Sequence, residues 1–156
     1  MITSTRETEE NKMYIPKYFK PQELVPRSVY EDRGEKSYQL IDDRLLRIAD
    51  FLRERFGSIT VNNWSYGGNR TQSGLRIPGQ QYYRPYSQHT FGRALDMIFN
   101  ERSAQSVRLW LRNNQDFICK NFQITGFTVE ENVSWLHIDL RNNRKGYNSI
   151  YAPKGK

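Results

Sequence analysis

The stretch Ser87-Gln88-His89-Thr90-Phe91-Gly92-Arg93-Ala94-Leu95-Asp96 carries a histidine and an aspartate on either side of a glycine. Alternating side chains predict a strand over 93–99, in which Asp96 points to one face while Leu95 and Met97 point to the core. Gly92 permits a tight turn or the close approach of another backbone. The stretch therefore predicts that the Asp96 carboxylate points into a cleft.

The second of the two histidines in the chain, His137, lies in Trp135-Leu136-His137-Ile138-Asp139. Two imidazoles and one carboxylate are the usual ligand set of a catalytic zinc, with water in the fourth position. His89, Asp96 and His137 are therefore candidate metal ligands. Asp139 shares a strand face with His137 and is a candidate to orient a ligand histidine through a hydrogen bond. Each histidine taken alone is also compatible with an ordinary core or surface role.

The pattern Ser87-x-His89-x-x-Gly92-x-Ala94-x-Asp96, with Trp135-x-His137-x-Asp139 later in the chain, resembles the zinc peptidases of the D-alanyl-D-alanine carboxypeptidase and L-alanyl-D-glutamate endopeptidase family. Hedgehog signalling domains share the fold of that family. The similarity covers roughly residues 17–140, and Tyr18-Phe19-Lys20-Pro21-Gln22-Glu23-Leu24 looks like the first segment of its phage and bacterial branch. The resemblance implies one Zn²⁺ held by His89, Asp96 and His137, and hydrolysis of peptide bonds in bacterial peptidoglycan, as in an endolysin or a carboxypeptidase.

The resemblance also suggests a substrate-binding arginine. Ser73-Gly74-Leu75-Arg76 looks like the Ser-Gly-Tyr-Arg stretch of the family, whose arginine binds a substrate carboxylate or polarises the scissile carbonyl. The forked donors of a guanidinium match carboxylate oxygens. Arg76 is therefore a candidate catalytic and substrate-binding residue, and Arg70 or Arg84 could fill the same space.

The general base is where the sequence departs from the family. Many members have a glutamate or aspartate three residues before the last ligand histidine, and this chain has Ser134 there. A serine deprotonates water poorly near neutral pH. Glu131 matches the spacing of the acidic residue in hedgehog-type domains, and Glu130 is the next candidate. Both glutamates can also be read as ordinary charges in a hairpin turn.

Aromatic and polar residues beside the two histidine motifs are candidate substrate contacts. Tyr86 and Ser87 precede His89, and Trp135 shares the strand face of His137. Tyr82 and Tyr83, which lie shortly before Tyr86, are candidates to line the same substrate groove. Loop or core packing is the alternative interpretation for these rings.

The rest of the chain predicts an α+β fold with a small, mostly antiparallel sheet and helices packed on one side. Apolar periodicity predicts a helix over 38–56 that stops at Gly57, followed by a short strand over 59–61. Residues 62–86 are rich in Asn, Gly, Tyr, Pro and Gln and predict a long irregular connection. Ser103 can cap a helix through residue 114, and two closing strands, about 122–130 and 134–140, are joined by Glu130-Glu131-Asn132.

Three segments are expected: a charged, flexible leader over 1–12, a zinc peptidase-like domain over 13–142, and a basic C-terminal tail over 143–156. The single cysteine, Cys119, excludes an internal disulfide and is expected to be a small buried hydrophobe. No apolar run reaches the length of a membrane span or a signal peptide, so we expect synthesis in the cytoplasm. Action at the cell wall would then require a phage lysis system or delivery by a virion.

The net charge of +7 and the pI of about 9.6 favour anionic partners, such as acidic wall polymers, nucleic acid or membrane surfaces. No recognised nucleic-acid motif accompanies the charge, which argues against nucleic acid as the partner. The resemblance to the zinc peptidases implies that the partner is a peptidoglycan stem peptide or cross-bridge. The alternative function is a non-catalytic metal-binding protein with a structural or wall-docking role, such as a phage virion component.

Overall fold

A computed structural model describes residues 13–141 and 144–151, which contain four α-helices and one five-stranded sheet. The helices are α1 (Arg27–Arg33), α2 (Asp43–Phe56), α3 (Ala104–Asn113) and α4 (Gln115–Asn121). The strands are β1 (Ile59–Thr60), β2 (Ala94–Phe99), β3 (Gly126–Glu131), β4 (Leu136–Asp139) and β5 (Gly146–Tyr151). Short 3-10 helices span Pro21–Glu23, Gly34–Leu40 and Trp64–Tyr66.

The strands are ordered β1-β2-β4-β3-β5 across the sheet. All neighbouring strands are antiparallel except β3 and β5, which run parallel. The predicted α+β class with a mostly antiparallel sheet is therefore confirmed.

The two faces of the sheet differ in chemistry because side chains alternate along each strand. One face of the sheet is buried in the hydrophobic core, together with buried side chains of α2, α3 and α4. The strand residues on this face are Leu95, Met97, Phe127, Val129, Leu136 and Ile138. The opposite face carries polar side chains, namely Asp96, Thr128, Glu130, His137 and Asp139. The alternation predicted for β2 is confirmed, and it turns Asp96 away from the core.

The helix predicted over 38–56 begins later than expected, at Asp43. Asp42 caps it, because the Asp42 side chain accepts a hydrogen bond from a backbone N–H of the first turn. Gly34–Leu40 form a separate 3-10 helix, and Ile41 is extended. The prediction placed the start of the helix too early because Ile41, which precedes the helix, is buried in the same core and so continues the apolar pattern.

Two other boundaries agree with expectation. Gly57 ends α2 with a φ of 89°, a conformation that favours glycine. Ser103 caps α3, because its side chain accepts the backbone N–H of Ser106. Helices α1 and α4 were not predicted, and Cys119 in α4 is half-buried against the core rather than fully buried.

The predicted closing hairpin is present with shifted boundaries. Strand β3 begins at Gly126 rather than near residue 122 and continues through Glu131, so Glu130 and Glu131 belong to the strand and not to the turn. Asn132 has a φ of 63° and starts the connection to β4. Asparagine tolerates this left-handed conformation better than most residues.

The segment expected to be a basic tail contains a strand. Gly146–Tyr151 form β5, which pairs along the whole length of β3. Tyr147 packs edge-on against Phe127 and donates a hydrogen bond to Glu131. The basic residues around this segment obscured its alternating pattern. The sheet therefore includes part of the predicted tail, through Tyr151. The leader over 1–12 and residues 152–156 lie outside the described residues.

The segment before α1 is anchored to the rest of the domain by apolar and polar contacts. Phe19, Leu24 and Val25 are buried in the core. Asp50 of α2 accepts hydrogen bonds from the Tyr14 hydroxyl and from the backbone N–H of Lys17. Across residues 13–141 and 144–151, every helix is too short or too polar to cross a membrane.

Candidate metal centre and cleft

Asp96 and His137 lie directly opposite each other on β2 and β4. Paired strands are about 4.8 Å apart, so two side chains at paired positions on one face meet. The distance between Asp96 Oδ1 and His137 Nδ1 is 2.8 Å. The sheet register thus brings together two of the predicted ligands, which are far apart in sequence.

His89 reaches the same point from the long irregular connection between β1 and β2. Its Nε2 lies 3.4 Å from Asp96 Oδ1. Gly92, with a φ of 68°, lets this loop approach the backbone of Leu40, whose carbonyl oxygen would collide with any Cβ at this position. The predicted role of Gly92 as a point of close backbone approach is confirmed.

The stretch Ser73–Arg76 holds both the loop ligand and the strand ligand. The Ser73 carbonyl accepts the backbone N–H of Asp96 (2.7 Å), and the Gly74 carbonyl lies 2.8 Å from His89 Nδ1. The contact of Nδ1 with that carbonyl leaves Nε2 as the ring nitrogen of His89 that faces Asp96. Gly74 must be glycine, because a Cβ there would overlap the carbonyl of Leu24.

The three candidate ligands form a buried group that could hold a metal ion. One ligand atom each from His89, Asp96 and His137 lies within 4.8 Å of the other two, and all three residues are buried. Two donors that are each about 2.1 Å from one ion can be at most about 4.2 Å apart. The distances of 2.8 and 3.4 Å from Asp96 Oδ1 to the two histidine nitrogens meet that limit. These three side chains could therefore hold a metal ion.

Asp139 makes the hydrogen bond expected of it. Its Oδ2 lies 2.7 Å from His137 Nε2, so Nδ1 of the same ring is the nitrogen directed at Asp96. Arg141 in turn donates to both carboxylate oxygens of Asp139, at 2.8 and 2.6 Å. Sequence reasoning missed Arg141 as part of this site. Its position two residues after Asp139, just beyond the end of β4, was the available signal.

The titration of the site follows from these contacts. Burial opposes a charge on His137, but hydrogen bonds and charge from Asp139 and Asp96 raise its pKa to about 9. Burial alone would raise the pKa of Asp96, yet hydrogen bonds and charge from the two histidines hold that pKa well below its usual range. Without a metal, the His137 imidazolium therefore joins two carboxylates. A bound cation would replace the proton on Nδ1.

Arg76 is the loop arginine that reaches this centre. Its Nη2 is 3.2 Å from Asp96 Oδ2, and its Nε donates to the Gln72 carbonyl at 2.7 Å. Burial lowers the pKa of Arg76, partly offset by the charge of Asp96. Arg70 instead bonds to Val61 and Ser73, and Arg84 bonds to backbone carbonyls of its own turn.

A cleft of about 370 Å³ opens over the three ligands. The other residues that line it are Arg76, Tyr86, Ser87, Gln88, Glu130, Trp135, Arg141 and Ile150. The cleft therefore gathers the predicted substrate contacts Arg76, Tyr86, Ser87 and Trp135. Within the described residues, Tyr82, Tyr83, Arg70 and Arg84 are not part of its lining.

The two candidate bases point to opposite faces of β3. Thr128 pairs with Asp139 in the β3–β4 ladder, so Glu130 is level with His137 on the polar face and lines the cleft. Glu131 points to the other face, where it accepts a hydrogen bond from Tyr147 (2.6 Å) and lies 3.4 Å from Arg108. Spacing along the chain ranked Glu131 first, but strand alternation turns it away from the cleft. Ser134 is exposed in the hairpin connection.

Two polar atoms at the cleft are buried without a partner. Trp135 Nε1 and Gln88 Oε1 have no hydrogen bond to any residue within 13–141 and 144–151. One is a donor and the other an acceptor, and both residues line the cleft.

Comparisons of the chain with protein-family models, with curated proteins and with solved structures found no match.

Proposed function

We propose that this protein is a zinc-dependent peptidase that hydrolyses peptide bonds of bacterial peptidoglycan. The observation that carries the proposal is the convergence of one possible ligand atom each from His89, Asp96 and His137 within 4.8 Å at a cleft. Two histidines and a carboxylate suit a catalytic zinc, whereas structural zinc sites mostly use four protein ligands rich in cysteine. The resemblance of the two histidine motifs to the peptidoglycan peptidases supplies the substrate class.

The chain's own residues have distinct tasks in this proposal. His89, Asp96 and His137 hold the ion, and Asp139 fixes the ring of His137. A zinc ion there supplies a water molecule of lowered pKa and polarises a carbonyl oxygen. Glu130, level with His137 on the cleft face, takes the proton of the attacking water and passes it to the leaving amine.

Arg76 binds and orients the substrate. Asp96 and Gln72 engage two of its nitrogens, which fixes the guanidinium plane and leaves further N–H donors for the cleft. Those donors bind the substrate carbonyl or a nearby carboxylate. Tyr86 and Trp135 form apolar walls, and Ser87 adds a hydroxyl. The substrate is a stem peptide or cross-bridge, and the basic surface favours retention on anionic wall polymers.

The experiment combines elemental analysis of the purified full-length chain with mass spectrometry of the muropeptides released from purified sacculi. We expect one zinc per chain and new free amino and carboxyl termini in the released peptides. The His89→Ala variant is expected to lose both zinc and hydrolysis. Full hydrolysis by a zinc-free His89→Ala protein would rule this mechanism out.

A non-catalytic wall-docking or structural role, for example in a phage virion, is the second candidate. Ser134 favours it, because the resembling family often has an acidic residue there and this side chain is exposed in the hairpin connection. Stoichiometric zinc without release of any muropeptide between pH 5 and 9 would favour this role over the peptidase. In either role, a chain made in the cytoplasm would reach the wall through a lysis system or a virion.

A further inference from the structure

A second cavity, of about 230 Å³, lies at the edge of the sheet where β2 and β3 begin and β4 ends. Three arginines from separate parts of the chain line it: Arg44, Arg93 and Arg141. The rest of its wall is formed by Ile124, Thr125, Gly126 and Leu140. We call this cavity the arginine pocket.

The guanidinium groups of the arginine pocket keep unused donors. Arg44 gives its Nε and one terminal nitrogen to Asp42, and Arg141 does the same with Asp139. Within the described residues the Arg93 guanidinium makes no hydrogen bond, and its nearest carboxylate oxygen, on Asp42, is 4.0 Å away. Because each guanidinium has five N–H donors, all three arginines can still bind an acceptor.

Positive charge exceeds negative charge around the arginine pocket. Three guanidinium groups face two carboxylates, Asp42 and Asp139, and Asp139 is also engaged by His137. Burial alone would raise the pKa of Asp42, but bonds to Arg44 and the charge of Arg93 keep that pKa below its usual range. The excess positive charge is accessible, because the three arginine side chains are 33–40% exposed.

We propose that the arginine pocket is an oxyanion-binding site that takes a carboxylate or a phosphate group. Planar guanidinium groups bind both oxyanions through paired hydrogen bonds. The buried Ile124 and Leu140 form an apolar part of the pocket wall. Arg141 lines both the arginine pocket and the metal cleft, so one extended ligand can occupy both. The site does not depend on the peptidase proposal.

The test is calorimetric titration of the full-length chain, with and without added zinc, at constant ionic strength. The probes are inorganic phosphate, acetate and dimethyl phosphate. Arg93→Gln is the informative variant. Within the described residues the Arg93 guanidinium makes no hydrogen bond, so its replacement should change anion binding without disturbing the fold. We expect it to weaken binding of the preferred anion by about tenfold, the loss of one charge-assisted contact. Arg112→Gln, with the same charge change on an exposed site of α3, is the matched control and should bind as wild type.

The probes also separate the two sources of an oxyanion. Preference for acetate assigns the site to peptide carboxylates, and preference for dimethyl phosphate assigns it to a phosphodiester polymer. If a probe anion bound to the zinc ion instead, its binding would disappear without zinc and would be the same in Arg93→Gln as in the wild type. Two results overturn the proposal. If Arg93→Gln and Arg112→Gln weaken anion binding equally, the anion responds only to the net charge of the protein. If Arg93→Gln binds the anion with wild-type affinity, the anion binds at another site. Thermal unfolding of both variants verifies that they fold.

Discussion

His137 lies between two carboxylates, with Nδ1 2.8 Å from Asp96 Oδ1 and Nε2 2.7 Å from Asp139 Oδ2. One ring therefore links the candidate metal site to a fully buried aspartate, which is itself held by Arg141. This arrangement makes the protonation, the metal affinity and the stability of the site depend on one another.

The metal-free protein is expected to lose stability as the pH rises. The pKa of His137 is about 9 in the folded chain and about 6.5 in an unfolded chain. A raised pKa stabilises the fold fully below pH 6.5, and this contribution, about 3 kcal/mol, is lost as the pH rises through 9. Urea unfolding in a chelator at pH 6 and pH 9.5 measures the change. The His137→Asn variant should show a much smaller difference, and an equal difference in both proteins would contradict the assignment.

Zinc binding near pH 7 is expected to release about one proton per ion, because the proton on His137 Nδ1 must leave before that nitrogen can coordinate. Calorimetry in buffers with different ionisation enthalpies measures the number released. If the wild-type protein binds zinc without releasing a proton, His137 is not a ligand.

Replacing Asp139 by asparagine should weaken zinc binding by about 10- to 100-fold, the usual effect of removing a carboxylate that orients a ligand histidine. Competition with a chromophoric chelator gives the dissociation constant. Asp116→Asn is the matched control, because Asp116 is exposed on α4. Unchanged affinity in Asp139→Asn would show that the His137 ring is oriented without this bond.

Glu130 and Glu131 provide a paired test of the general base. Glu130→Gln should lower the rate of muropeptide release by about 10²- to 10⁴-fold with zinc content unchanged. Glu131→Gln should keep turnover but lose about 1–3 kcal/mol of stability, because Arg108 and Tyr147 lose a charged acceptor. Rates from mass spectrometry and free energies from urea unfolding separate the two effects. Loss of turnover in Glu131→Gln, with turnover kept in Glu130→Gln, would identify Glu131 as the general base.

Arg108 should be important for the hairpin that carries Glu130. It is 4% exposed and donates to the carbonyls of Glu130, Val133 and Trp135. Arg108→Met leaves these acceptors unpaired, and we expect a loss of about 3 kcal/mol in the free energy of unfolding. Arg112→Met, one turn further along α3 and exposed, should change it by less than about 0.5 kcal/mol.

Local sequence identified the parts of the site that depend on alternation and on residue type. The scarcity of histidine drew attention to His89 and His137, and period-two alternation placed Asp96 opposite the core face of β2. The same rule predicted that Asp139 shares a face with His137. These inferences succeeded because each concerns neighbours within one strand, where backbone geometry alone sets the direction of a side chain.

Long-range pairing was beyond the reach of sequence reasoning. Placing Glu130 rather than Glu131 on the cleft face of β3 required the true start of the β3–β4 connection, since a shift of one residue exchanges the two faces. The parallel pairing of β5 with β3 and the meeting of Arg44, Arg93 and Arg141 depend on contacts between distant segments. Such contacts are selected by packing of the whole core, which no local pattern encodes.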